Sequence, residues 1–181
     1  EKYGFRYFKV DDYLDMYIAK GAKSGKPLLS KYAGMTLDEI WLRDPAVQHD
    51  EELEMYREMF GFVLEDLDHM SGGTPVITEG AAFLPGLMSE TGVGRSNYIC
   101  VAPTEEFQYE KYARRPWVME YLADCSDAAL AFQNWMKRDN LFADSVLREA
   151  ERLGYAALVV DGAKSVDENC KAVEGVFGLP K

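Results

Sequence analysis

Four short apolar runs interrupt a helix-patterned chain, and their alternation most restricts the fold. They are Phe5–Val10, Pro75–Thr78, Tyr98–Ala102 and Ala156–Val160. Strands separated by helical stretches pair in parallel through crossover connections, so a mainly parallel α/β sheet is expected. The runs at 98–102 and 156–160 are continuously apolar, the pattern of strands covered on both faces. Apolar residues make up 48% and charged residues 28% of 181, which suits one domain with a real core.

The helical signals lie between these runs. Thr36-Leu37-Asp38-Glu39 is a capping box, and Asp44-Pro45 puts a cap residue before a proline at the first helical position. Leu53, Tyr56, Phe60, Val63, Leu64 and Leu67 then recur at spacings of three and four, predicting an amphipathic helix from Ala46 to Met70. Residues 20–35, rich in Lys, Gly and Ser, read as a mobile loop. Ser126 is expected to cap a helix from Asp127 to Lys137, and a second runs from Leu141 to Leu153, where Gly154 stops it. A final capping box, Ser165 to Glu168, opens a helix whose inner face would carry Val166, Cys170, Val173 and Phe177.

Charge and cysteine usage narrow the function classes. Lys and Arg number 20 against 31 Asp and Glu, a net charge of -11, which argues against a nucleic-acid-binding face. A small anionic ligand is still compatible, because a few local arginines can hold one. Cys100, Cys125 and Cys170 are widely spaced and form no CxxC pair, so neither zinc nor a disulfide framework is indicated. No apolar stretch approaches the ~20 residues of a membrane span. A cytoplasmic monomer or homodimer is expected.

Several residues could carry chemistry. In open α/β sheets, ligands bind beyond the carboxyl ends of strands. Asp11 and Asp12 follow the first strand, where one could hold a substrate hydroxyl or a magnesium-bound water, and both could equally be helix caps. Glu79-Gly80 follows the second strand, as a site carboxylate with room beside it or as an ordinary turn. Arg114-Arg115 could grip phosphate, or form a solvated pair with Glu105, Glu106 and Glu110. Arg138 and Arg43 pose the same choice. Asp161-Gly162 ends the fourth strand, where its turn could touch a ligand's base. Gly21 to Pro27 fails as a phosphate-binding loop: the glycines are one residue too close, and Pro27 stands where Ser or Thr would bind magnesium.

In their order, these pieces resemble the P-loop small-molecule kinases, the group of shikimate, gluconate, nucleoside and nucleoside-monophosphate kinases. The likeness is nearer to uncharacterised bacterial kinase-like ATPases of that group. The similar stretches are Tyr7 to Asp12, Pro75 to Ala81, Pro103 to Phe107 continuing through Tyr112 to Trp117, and Val160 to Gly162. The resemblance implies a three-layer P-loop NTPase-like sandwich. It also implies ATP-dependent phosphorylation of a small molecule's hydroxyl or phosphate, with Mg²⁺. Asp11 or Asp12 would order magnesium and the acceptor, Asp11 being the metal residue, and Glu79 and Gly80 would face the substrate. Residues 20–70 would form the acceptor side and 104–125 the lid. Arg114 and Arg115 would lie on the transferring phosphates, Arg138 behind them, Arg43 toward the substrate, and Asp161 and Gly162 near adenine. The family's first strand, its G-x-x-x-x-G-K-[ST] loop and most of its first helix have no counterpart here. This implies an upstream βα unit of about 30 residues.

Two other readings compete. One is a non-catalytic binding protein, with solvated arginines and an exposed apolar patch. The other is a magnesium-dependent hydrolase using Asp11, Asp12 and Glu79.

Overall fold

The computed structural model describes residues 2–70 and 72–180. The chain divides into two compact units, one made of residues up to Met35 with Asp50–Leu84, the other of Thr36–His49 with residues from Pro85 onward.

The first unit begins with β1 (Arg6–Lys9), which leads through a 3-10 turn at Val10–Tyr13 into α1 (Leu14–Lys23) and α2 (Pro27–Ala33). Residues 20–35 are therefore mostly helical, with Pro27 at the start of α2. The amides of Leu28 and Leu29 donate to the Glu58 carboxylate at 3.1 and 3.0 Å. That carboxylate satisfies donors a helix start otherwise leaves open, and its charge suits the positive helix end. Glu58 belongs to α4 (Pro45–Met70), whose first turn counts with the second unit. Tyr17 Oη donates to Asp66 at 2.6 Å, and Lys20 Nζ to Glu65 at 2.8 Å. Tyr17, Leu29, Met59 and Val63 are buried between these helices. β2 (Val76–Glu79) returns parallel to β1, in the register Arg6↔Val76 to Lys9↔Glu79.

The second unit holds α3 (Leu37–Trp41), α5 (Pro85–Glu90), β3 (Ile99–Pro103), α6 (Glu105–Ala113), α7 (Pro116–Leu122), α8 (Ala128–Leu153), β4 (Ala156–Val160) and α9 (Val166–Val176). Both capping boxes form, at Thr36–Glu39 and Ser165–Glu168. α8 is one uninterrupted helix across Arg138–Asp139, where a break had been expected. It ends at Gly154, whose φ of +73° is the left-handed cap glycine supplies. The core joins Trp41 to Val118, Leu122, Cys125, Ala131, Phe132, Trp135 and Met136. On α9, Val166 and Cys170 face solvent, and only Val173 and Phe177 of the expected inner face are half-buried.

The expected three-layer P-loop NTPase-like sandwich is not the observed fold. Helix takes 64% of the chain, and the strands pair only two by two among the described residues, β1 with β2 and β3 with β4, both parallel. The physical reason lies in one-sided burial. A sheet sandwiched between helix layers needs strands covered on both faces. β1 and β2 carry Arg6, Lys9 and Glu79 and leave Tyr7 and Ile77 exposed. The two apolar runs, β3 and β4, leave Val101, Ala157 and Val159 exposed.

The closest helix approach in the first unit gives a test. A Cβ on Gly21 would lie 2.1 Å from Leu29 Cδ1 and 2.7 Å from its Cβ, and Leu29 has no exposed surface. Overpacking of this kind costs about 1–3 kcal/mol, against the roughly 1 kcal/mol that alanine gains over glycine in a helix. Gly21→Ala is therefore expected to lower the urea midpoint. In a Leu29→Ala background the same change should turn neutral or stabilising. A double-mutant cycle with additive losses would contradict this packing.

Candidate functional site

Parallel pairing brings the carboxyl ends of β1 and β2 together, so residues distant in sequence share one edge. Glu79 is the last residue of β2 and faces Lys9 across the ladder. Asp11 lies one residue into the 3-10 turn, and its Oδ1 accepts the Ala81 backbone N–H at 3.2 Å. Between them, Gly80 adopts a φ of +149°. A Cβ there would stand 2.9 Å from both Asp11 Oδ1 and Val10 Cβ, so only glycine allows the two strand exits to approach this closely.

The neighbours divide the work. Tyr7 Oη donates to Glu79 Oε1 at 2.7 Å, and that bond to a carboxylate raises the tyrosine's pKa. Lys9 pairs with Asp12, which raises the lysine's pKa. Asp11 as a residue reaches solvent, yet its carboxyl is packed against the β2 exit. Desolvation raises its pKa above the ordinary carboxylate value. The Ala81 N–H opposes this and the Glu79 charge adds to it.

Asp11, Glu79 and Gly80 are thus brought together, and Asp12 is engaged by Lys9. Lys9 and Tyr7 were missed. They alternate along β1 on one face, and that period of two is the signal that points to them.

The other predicted residues lie in the second unit. Arg114, exposed at the end of α6, pairs with Glu110 at 3.1 Å one turn back. The Arg115 guanidinium sits 4.4 Å over the Tyr112 ring, a cation–π contact. Both arginines take the solvated, locally partnered alternative. Arg138 bonds Asp139 through Nε at 2.8 Å and lies 4.8 Å over the Trp41 ring. Asp139 also accepts from Gln108 Nε2 at 2.8 Å, and burial still raises its pKa against the pull of Arg138. Arg43 follows α3, and its carbonyl accepts from Gln48 Nε2 at 2.8 Å. Asp161 Oδ1 caps its own turn by accepting the Ala163 N–H at 2.9 Å. Gly162, with φ +85°, lies where a Cβ would meet the Phe107 ring at 2.8 Å.

A hydrated Mg²⁺ at the β1–β2 end would have two carboxylates to draw on, Asp11 and Glu79. Asp11 Oδ2 and Glu79 Oε2 are hard oxygens that accept no hydrogen bond from the described residues. No group of three or more His, Cys, Asp or Glu among the described residues is placed to hold a metal outright, so water would complete such a shell. The residues proposed for ATP do not fit it: Arg114 is held by Glu110, Arg115 by Tyr112, and Asp161 by its own turn. Among the described residues, no helix is long and apolar enough to cross a membrane.

Asp11's pKa has a consequence for stability. A carboxyl raised in the fold favours folding while neutral, so its contribution is fully present below about pH 4 and is lost as pH rises through the folded value. Asp11→Asn cannot ionise and keeps an oxygen for the Ala81 N–H. The variant should be more stable than the parent at pH 7, and the two should converge below about pH 4. Urea unfolding at both pH values measures this, and equal stabilities at pH 7 would mean that the carboxyl is not desolvated.

No protein-family model, no curated protein and no solved structure matches this chain.

Proposed function

We propose that the carboxyl end of β1–β2 binds a small hydroxylated molecule as the acceptor in a phosphoryl transfer. Asp11 takes the hydroxyl proton, and Glu79, oriented by Tyr7, holds the acceptor or a magnesium-bound water. The observation that carries this reading is a partly desolvated carboxyl with raised pKa, one strand away from a second carboxylate. A base works best when its pKa approaches the working pH, and phosphoryl transfer needs a side chain that orients the attacking hydroxyl. Magnesium, when bound, would supply charge neutralisation on the transferred group. ATP is the donor class in this proposal, and no step is assigned to a residue that would hold it.

A second reading has an observation of its own. Trp117 and Tyr121, one turn apart on α7, are 49% and 43% exposed, and Met119 is also exposed. Such a surface, beside a solvated Arg114, favours a protein that binds a partner without catalysis.

Calorimetry of ATP–Mg²⁺ with the chain separates the two. The first reading expects binding heat at millimolar nucleotide and ADP formation with a panel of polyols and sugars. In Asp11→Asn, turnover should fall by about 10²-fold or more, the usual weight of a general base, with nucleotide heat retained. No heat at millimolar nucleotide would remove the phosphotransferase reading and leave the binding one.

A further inference from the structure

In the core of the second unit, Trp41 Nε1 and Gln48 Oε1 are buried polar atoms with no hydrogen-bond partner among the described residues. Trp41 is 5% exposed and Gln48 1%, so bulk solvent reaches neither. Interior polar groups in native proteins are almost always satisfied, by protein or by ordered water.

Neither side chain can turn to find a partner. Gln48 Nε2 donates to the Trp41 carbonyl at 3.3 Å and to the Arg43 carbonyl at 2.8 Å. Turning the amide over would set its oxygen against those two carbonyl oxygens, so Oε1 must be the atom that faces away. The Trp41 indole is stacked on Trp135 at 4.6 Å between ring centroids, meets the edge of Tyr121 at 6.3 Å and lies under Arg138. The Trp41 carbonyl takes a further bond from Asn134 Nδ2 at 2.9 Å, which fixes the backbone too.

Trp41 Nε1, a donor, and Gln48 Oε1, an acceptor, therefore sit in the same short segment, and the bond from Gln48 to the Trp41 carbonyl keeps the amide beside that residue. We infer that they hold an ordered water molecule. It accepts from Trp41 Nε1–H and donates to Gln48 Oε1, the one small neutral group that complements both. An inorganic anion such as chloride has no proton for Gln48 Oε1. A metal cation would find no lone pair on the indole N–H. The water completes the hydrogen bonding of the turn between α3 and α4, which also carries Arg43.

Oxygen-17 magnetic relaxation dispersion of the whole chain counts long-lived interior waters. Gln48→Met and Trp41→Phe should each lose one such water, and the double variant should also lose only one. No loss in either single variant, or a loss of two in the double, would overturn the bridge. Because core changes can impair folding, the unaltered protein provides a second measurement. The Trp41 indole N–H, assigned by its disappearance in Trp41→Phe, should show a direct water cross-peak of long-residence sign in paired NOESY and ROESY spectra. A missing cross-peak there would also overturn the inference.

Discussion

Parallel pairing of β1 with β2 governs the plan of the first unit. Parallel neighbours cannot be joined by a tight turn, so the chain leaving Lys9 must come back to Val76 before it can pair. Residues 10–75 make that return and contain α1 to α4. Within the unit, α4 holds the return together through one row of acids. Glu58 closes the start of α2, Glu65 binds Lys20 and Asp66 takes the Tyr17 hydroxyl. The surface Lys20–Glu65 pair is weak on its own. Glu58 matters more, because it answers two backbone amides that α2, capped by Lys26 without a side-chain bond, cannot satisfy itself. The same parallel geometry puts both strand exits at one edge, and so Asp11 and Glu79, 68 residues apart, share a site.

The second unit is organised around Trp135 on α8. Its ring stacks on Trp41 and meets Tyr112, Trp117 and Tyr121 edge-on, at centroid distances from 4.6 to 6.0 Å. Each such pair adds about 0.5–1.5 kcal/mol beyond its buried area. The cluster explains why α8 does not break at Arg138–Asp139. Arg138 is stacked on Trp41 and bonded to Asp139, while Gln108 closes the carboxylate from α6. The pair that reads in sequence as a junction is a half-buried polar contact, and it joins α8 to the Trp41 segment and to α6.

Local signals were legible. The capping boxes at Thr36 and Ser165, the helix through Pro45–Met70 and the run at Ala156–Val160 all stand where residue type and spacing put them. These depend on contacts within a few residues, which sequence displays directly. What failed depended on coverage from elsewhere. The apolar strands β3 and β4 were read as covered on both faces, and nothing in ICVAP or AALVV states how many helices will pack on them. Val166 and Cys170 have the spacing of an inner face and remain outside. In the candidate site, Asp11, Glu79 and Gly80 could be singled out because strand ends restrict where a carboxylate can go. Arg114 and Arg115 stood open between phosphate and local partners, and each guanidinium takes the nearest partner, here Glu110 and the Tyr112 ring.

Asp11 and Asp12 show how much a single residue of displacement changes chemistry. Asp12 reaches back to Lys9 and gains an ion pair in solvent, so its charge is compensated. Asp11 is turned toward Gly80 and Ala81, where it accepts one backbone N–H, and the charges of Lys9 and Glu79 act on it in opposite senses. A carboxyl there opposes folding at neutral pH, and an uncharged amide of the same shape would not. Gly80, at a φ of +149° that other residues avoid, lets the β2 exit come this close to that carboxyl. The desolvated carboxyl is the unfavourable feature of this strand edge, and the single substitution Asp11→Asn would remove it. Such a carboxyl accepts a proton more readily than an ordinary one, which is the property the proposed acceptor role requires of Asp11.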